Sequence, residues 1–182
     1  GDAVSFNDQS NVTTMNIKED VYPGSVVFDN SKDYTLTGDG SIVGAATLTK
    51  KGEGNLTISN INKYTGGTKI EGGKITASTL ADVEGSDYGA LGGVDNKITL
   101  DGGTLVVPAG GRTSQTIGLG KNGGTIEAKG AFTLTGTTER NGANIEGELH
   151  KTGTGALTLG TINKFGKLYV DAGRVNVRKI NS

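Results

Sequence analysis

The chain repeats part of its own sequence 101 residues further on (149 − 48). The run Leu48–Ile58 returns as Leu149–Leu159, and Gly73–Ile75 returns as Gly173–Val175. A spaced repeat of this kind is typical of stacked supersecondary units, none of which can bury its apolar face alone. The sequence therefore predicts a solenoid in which each unit packs on its neighbours.

The composition indicates which kind of solenoid this is. The 182 residues include 32 Gly and 24 Thr, with 2 Pro and no Cys or Trp. Gly is poor in helix interiors, whereas Thr, Val and Ile suit a pleated, half-buried surface, so we predict an all-β fold. The strand-like runs are short, alternating and bounded by Gly, Asn or Asp: Val26–Phe28, Tyr34–Leu36, Asn55–Ile58, Lys97–Leu100, Phe132–Leu134 and Arg174–Val177.

A recurring pair of small residues favours a parallel β-helix over a β-sandwich, which would lack long-range self-similarity. The second residues of the pairs are Gly73, Gly103, Gly124 and Gly173, so the gaps are 30, 21 and 49 residues (103 − 73, 124 − 103, 173 − 124). With about 20–25 residues per coil, these gaps correspond to a coil with an insertion, a plain coil and two coils. We expect these glycines at coil corners, some with positive φ. Because parallel crossovers are almost always right-handed, we predict a right-handed parallel β-helix.

We interpret the chain as a single β-helical domain. The polar segment 2–19 is expected to cover one end, and a further coil or domain of the same longer protein to pack beyond 174–178. Because the chain begins at Gly1 rather than Met, we expect a processed product or an excised segment. The domain 1–182 divides into a capping or lead-in region at 1–39, a first repeat copy at 40–77, intermediate coils at 78–141 and a second copy at 142–178. The intermediate coils contain an irregular insertion at 79–96, which is expected to hold a helical turn.

The first repeat copy resembles a known family. It reads Leu-Thr-Lys-Lys-Gly-Glu-Gly-Asn-Leu-Thr-Ile over Leu48–Ile58, followed by Asn62–Ile70 and Gly73–Ile75. This is similar to the autotransporter-associated β-strand repeat, whose outline is Leu-Thr-Lys-x-Gly-x-Gly-x-Leu-Thr-Leu, then Asn-x-Tyr-Thr-Gly-Gly-Thr, then Gly-x-Leu. The second copy departs from this pattern at Phe165-Gly166-Lys167, which suggests a shortened corner.

The resemblance implies export to the surface of a Gram-negative bacterium and a right-handed parallel β-helix. Such repeats occur in passenger regions of surface proteins, some of them adhesins or polysaccharide-degrading enzymes. The implied role is a non-catalytic scaffold or stalk that aids secretion and presents functional regions away from the cell. The alternatives are a carbohydrate-binding or adhesin module, with glycans or a host surface as partners, and an accessory region of a secreted polysaccharide-degrading enzyme.

Charge and hydropathy exclude other classes of partner. The formal net charge is −1, so the chain lacks the basic footprint of a nucleic-acid-binding protein. No apolar run approaches the length of a membrane span. The lysines of the repeat, among them Lys50 and Lys151, are expected on a solvated face.

The candidate catalytic residues are few, and we predict that the chain is not an enzyme. His150 is the only histidine and occupies the place of Thr49 in the first copy, which is typical of an ordinary strand-surface side chain. A glycosidase-like carboxylate pair would have to come from Glu139, Glu146 and Glu148. Glu146 and Glu148 lie two residues apart on a predicted strand, and therefore on one face that we expect to be solvated.

Cofactor and metal sites find no support, and none is predicted. The acidic group Asp29, Asp33 and Asp39 with Asn30 offers oxygen ligands, but in neither of the known calcium-loop patterns. The string Gly118–Gly123 matches Gly-x-Gly-x-x-Gly, yet a strand rather than a helix is predicted after it, so it is not a dinucleotide-binding turn.

The aromatic residues leave ligand binding open. Tyr64 and Phe165 occupy the same repeat position, which favours an internal or corner stack. Tyr88 lies in the irregular insertion and is the one residue that we predict to contact a partner. The remaining aromatic candidates for sugar contact are Tyr22, Tyr34 and Tyr169.

Overall fold

The computed structural model describes residues 1–82, 84–136, 138–140, 147–160 and 166–178, and these form strands and no helix. The chain is therefore all-β. In chain order the strands are β1 (Ala3–Asn7), β2 (Thr14–Asn16), β3 (Ser25–Asp29), β4 (Tyr34–Thr37), β5 (Val43–Gly44), β6 (Thr47–Lys51), β7 (Asn55–Ile58), β8 (Lys63–Tyr64), β9 (Thr68–Ile70), β10 (Lys74–Ala77), β11 (Tyr88–Gly89), β12 (Gly92–Gly93), β13 (Ile98–Leu100), β14 (Thr104–Val107), β15 (Gly111–Thr113), β16 (Ile117–Leu119), β17 (Gly124–Ala128), β18 (Phe132–Leu134), β19 (Thr138–Arg140), β20 (Glu148–Thr152), β21 (Ala156–Leu159), β22 (Lys167–Val170) and β23 (Arg174–Val177).

The strands wind into a parallel solenoid of about eight turns, which confirms the predicted β-helix. The first face is the sheet β1-β3-β6-β9-β13-β16-β19, and the second face is β2-β4-β7-β10-β14-β17-β20-β22. The remaining leg of each turn forms the third face, with the sheets β5-β8 and β15-β18-β21-β23. All pairings within these faces are parallel. The right-handed sense of the coil stays a prediction.

The strand register shows that the turns differ in length. Among the plain turns, a short one runs from Ala156 to its partner Arg174, and a longer one runs from Thr125 to its partner His150. The turn from Lys74 to Thr104 is longer still, and it contains the predicted insertion. The helical turn expected there is wrong: the described part of the insertion holds an antiparallel pair, β11 and β12.

The core is a single column of apolar side chains inside the solenoid. Leu56 and Leu157 are fully buried, and Thr57 and Thr158 beside them are only half-buried, as the alternation of the repeat predicts. Similar side chains from neighbouring turns stack on one another inside the solenoid. For example, the nearly parallel rings of Phe6 and Phe28 have centroids 4.5 Å apart. The terminal strands of the first two faces, β1 and β2, come from the segment 2–19, and its capping role stays a prediction.

The two repeat copies lie on different faces, which corrects the interpretation of the glycine gaps. In the first copy β6 is on the first face and β7 on the second, whereas in the second copy β20 is on the second face and β21 on the third. The register explains the offset. Four turns of the first face carry Leu48 to Thr138, and the chain then advances by one further face before it reaches Leu149.

Gly173 therefore does not share a corner with Gly73, Gly103 and Gly124. Positive φ occurs at Gly73 (55°) and Gly173 (71°), but not at Gly103 or Gly124, where the preceding glycine takes it instead. A Cβ on Gly73 would lie 2.5 Å from two backbone carbonyl oxygens of the preceding turn, so both conformation and space require glycine there. The expectation that at least some of the four have positive φ is confirmed.

Candidate functional site

The insertion builds a surface depression of about 370 Å³ on the leg that forms the third face. Its walls come from three consecutive turns: Ile61 precedes β8, Tyr88 lies on β11 of the insertion, and Arg112 lies on β15 of the next turn. Asp82 and Ser86 close the tip of the insertion with two backbone hydrogen bonds of 2.7 Å. The predicted contact residue Tyr88 thus lies in a concave surface; whether it binds a partner stays a prediction.

Buried polar side chains hold the insertion in place. The Asn62 side-chain amide donates to the Ala90 carbonyl at 2.9 Å, and the Asn96 amide donates to the Leu91 carbonyl at 2.7 Å. The Gln115 amide donates to the carbonyls of Leu91 at 3.1 Å and Gly93 at 3.0 Å. Asn62, Asn96 and Gln115 are all buried, so the loop rests on a fixed hydrogen-bonded floor.

Two exposed apolar side chains and one ion-pair network line the depression. Tyr88 is 43% exposed and Ile61 is 42% exposed, so both present apolar surface to solvent. The Arg112 guanidinium contacts Glu84 at 2.6 Å through Nη1 and contacts Asp82 through Nε. These two carboxylates, Glu84 first, raise the pKa of Arg112 above its ordinary value. The depression therefore combines exposed ring surface with fixed hydrogen-bonding groups.

His150 lies on the outer surface of the second face, as predicted. Its ring stacks on Tyr169 with centroids 4.7 Å apart, and its Nδ1 lies 2.7 Å from an Asp171 carboxylate oxygen. This is a strand-to-strand contact between neighbouring turns, because His150 pairs with Tyr169 in the register of β20 and β22. Among the contacts of the described residues, no serine hydroxyl is hydrogen-bonded to this imidazole.

In the described part of the chain, the carboxylates considered for glycoside hydrolysis do not form a pair of general acid and general base. Glu148 accepts from Lys167 Nζ at 2.9 Å and from the Tyr169 hydroxyl at 3.3 Å. The Lys167 contact holds the pKa of Glu148 below its ordinary value, whereas a general acid needs a raised pKa. Glu146 and the side chain of Glu139 lie outside the described residues.

Two members of the acidic group near the N-terminus, Asp33 and Asn30, hydrogen-bond to the backbone. Asp33 accepts from the Asn55 amide at 2.8 Å, and the buried Asn30 side chain donates to the Lys32 carbonyl. Among the described residues, no three side chains of His, Cys, Asp or Glu form a group that could hold a metal ion. The glycine string Gly118–Gly123 leads into strand β17, so the strand expected after it is confirmed.

Two of the aromatic candidates are internal. Tyr64 is fully buried, with its hydroxyl 2.6 Å from Thr68 Oγ1, and burial raises its pKa well above the ordinary value. Tyr34 is buried against Phe28 and donates to the Asn7 carbonyl at 2.7 Å. Phe165 lies outside the described residues. The exposed aromatic side chains that remain are Tyr22, Tyr88 and Tyr169.

The expectation of a solvated face is wrong for Lys50 and Lys151, which are fully buried. Each ammonium turns into the corner that follows its strand: Lys50 Nζ donates to the carbonyls of Lys51 and Gly52, the latter at 3.1 Å. Lys151 Nζ donates to the carbonyls of Thr152, Gly153 (2.8 Å) and Ala172 (3.2 Å). Burial lowers the pKa of both amines. The strict alternation of Leu48, Thr49 and Lys50 places Lys50 on the same inward side of the strand as Leu48. The charge of lysine favours the opposite interpretation, so sequence reasoning missed this position.

Comparison with known proteins identifies the motif that forms these corners. Residues 48–77 and 149–177 match the sequence profile of the Passenger-associated-transport-repeat. We refer to these two segments as the transport repeats. Each includes one buried lysine and the glycine after it with positive φ, Gly52 (65°) in the first and Gly153 (75°) in the second. The two transport repeats therefore share one corner geometry even though they lie on different faces.

The chain is also similar to a curated autotransporter protein. Over 147 residues the chain is 32% identical to the Adhesin BmaC autotransporter of Brucella suis biovar 1 (strain 1330). The match covers 62% of this chain and 4% of that relative, so the chain spans a small part of its length. No solved structure matches. The described residues include no helix that is long and apolar enough to span a membrane. The transport repeats and the adhesin relative mark the chain as exported and cell-surface.

Proposed function

We propose that this chain is a non-catalytic scaffold segment of an exported surface protein, which aids secretion and holds other regions away from the cell. The observation that carries the proposal is the continuity of the core. The second transport repeat continues the same apolar column on neighbouring faces, so the repeats extend one rod instead of forming separate binding units. The absence of cofactors is part of this proposal.

The scaffold would build itself turn by turn. Each strand of a face pairs only with the strands one turn before and after it, so folding can propagate along the axis from either end. Buried lysines fix the corners of the two transport repeats, because they satisfy carbonyl groups that the turn would otherwise bury without a partner. A chain that emerges end first from an export machinery can fold in this order. Adjacent coils or domains of the same longer protein are then the partners of its ends.

The register offers a direct test in the intact exported protein. Val26 pairs with Leu48, so deletion of positions 26–47 removes one whole turn and returns every later strand to its own face. Deletion of positions 26–36 is the control, because it removes half a turn and shifts the later strands out of register. We expect the first variant to be exported and protease-resistant and the second to be degraded. Equal export of both variants would contradict the scaffold.

A second candidate function is an adhesive module that contacts glycans or a host surface. The observation that favours it is the exposed Tyr88 in the turn that carries the insertion, together with a relative that is named an adhesin. The two functions are separable, because a rod can carry a binding site on one face. An adhesive module predicts that residues in the depression affect binding without affecting export, whereas whole-turn deletion elsewhere affects neither.

A further inference from the structure

We propose that the depression around Tyr88 is a binding site for one neutral hexopyranose ring of a surface glycan. The assignment rests on the second candidate function, and the scaffold does not depend on it. In this proposal one side of the rod, at the insertion, recognises the sugar.

The walls of the depression are held rigid before any ligand binds. A plain turn of this solenoid needs no insertion, yet this one is held by amide groups from Asn62, Asn96 and Gln115. Burying such groups is costly unless each finds its partner, and here each of them does. Ser86 Oγ also donates to the Tyr88 carbonyl at 2.7 Å, which fixes the backbone beneath the ring. A rigid surface loses little conformational entropy when a ligand binds.

The walls of the depression combine apolar surface with polar groups at the edge. Tyr88 and Ile61 present apolar surface to solvent on one depression, although most large apolar side chains of the chain are inside the core. A hexopyranose has an apolar C–H face and a rim of hydroxyl groups, so it can cover an aromatic ring and still hydrogen-bond at its edge. Glu84 lies at the rim as an acceptor for such hydroxyl groups.

The charges in the depression distinguish neutral sugars from acidic ones. The depression holds two carboxylates, Asp82 and Glu84, and a single guanidinium, Arg112, that is already bound to both. A uronic or sialic acid would place its own carboxylate beside them without a free cation to receive it. A neutral sugar donates a hydroxyl hydrogen to Glu84, the exposed carboxylate of the pair. The site therefore selects neutral rings over acidic ones.

The size of the site sets the affinity. One ring in a shallow site binds with a Kd on the order of millimolar, because a ligand of few atoms has little surface to bury. Many copies of the protein on a cell surface would raise the effective strength of attachment through multivalency.

The test is an NMR titration of the folded 182-residue chain with the methyl glycosides of glucose, galactose and mannose, and with glucuronic acid. We expect at least one neutral glycoside to shift the signals of the depression, and glucuronic acid to bind at least tenfold more weakly. Tyr88→Ala should weaken that binding at least tenfold, whereas Tyr88→Phe should retain it because the ring remains. The matched control is Tyr169→Ala, which removes a similarly exposed tyrosine (37% against 43% for Tyr88) from the second face and should bind as wild type does.

Ile61→Ser is a second variant at an exposed position and should also weaken binding without loss of the thermal transition. Absence of any shift with the three neutral glycosides at tens of millimolar, about ten times the expected Kd, would overturn the proposal. Equal binding of glucuronic acid, or binding that Tyr88→Ala leaves unchanged, would overturn it as well. Export of the whole-turn deletion reports on the scaffold alone, so the two proposals fail independently.

Discussion

Replacing a buried corner lysine by methionine should destabilise the solenoid, because methionine keeps the apolar stem but removes the amine. At Lys151 the lost donor leaves three carbonyl groups without this partner, and at Lys50 it leaves two. Each such hydrogen bond contributes about 1 kcal/mol net, and relief from burying the ammonium offsets part of the loss. We expect Lys151→Met to lower the free energy of unfolding by about 2 kcal/mol and Lys50→Met by about 1 kcal/mol.

The assay is guanidinium unfolding followed by circular dichroism, with stability read from the midpoint at constant slope. Lys51→Met is the matched control, since Lys51 is the next residue of the same strand and points outward. We expect its free energy of unfolding to stay within about 0.5 kcal/mol of wild type. If Lys50→Met and Lys51→Met behaved alike, or if Lys151→Met were more stable than wild type, the capping role of the buried amines would be refuted.

The same lysines give a pH dependence whose sign follows from linkage. Burial lowers the pKa of Lys50 and Lys151 in the folded chain below the ordinary value of 10.5, so the unfolded chain binds more protons in that window. These two groups therefore add stability as the pH rises from the folded pKa towards 10.5. Tyr64, whose pKa burial raises, acts in the opposite direction above pH 10. The lysine contribution is read as the difference between wild type and the Lys50→Met, Lys151→Met double variant, and a difference that does not change with pH would contradict it.

Two further predictions concern the core and the absence of catalysis. Leu56→Ala should lower the free energy of unfolding by about 2–5 kcal/mol, because Leu56 is fully buried. Thr57→Ala should lower it by less than about 0.5 kcal/mol, because Thr57 points outward. Equal losses of stability in chemical denaturation would contradict the assignment of the lumen. The chain should show no hydrolase or lyase activity on a panel of polysaccharides, because Lys167 keeps Glu148 ionised and bound; turnover that disappears in Glu148→Gln would refute this.

The fold was predictable because the repeat and the alternation agree with each other. Leu56 and Leu157 point inward and Thr57 and Thr158 point outward, as period-two alternation requires. The face that each copy occupies was not predictable. The turns vary in length, and the one that carries the insertion is much longer than the last one, so a repeat distance alone cannot fix a position around the axis.

The candidate site was only partly predictable. Tyr88 could be singled out because the insertion interrupts the glycine pattern, but its partners come from other turns. Arg112 lies on the turn after Tyr88, and Ile61 lies on the turn before it. The antiparallel pair itself depends on Asn62 and Gln115, which are distant in sequence and carry no local signal of this role.

The one-face offset between the transport repeats indicates what the motif specifies. In both copies it encodes a corner: an inward leucine, a buried lysine, a glycine with positive φ, and an outgoing strand. Because two different corners of the solenoid accept this unit, the spacing between the repeats needs only to complete whole strands, not whole turns. That freedom allows the long turn with its insertion to lie between the two repeats without breaking the core. A rod built from corner units can therefore carry a recognition site on an insertion between two repeats, while the repeats continue the core on either side of it.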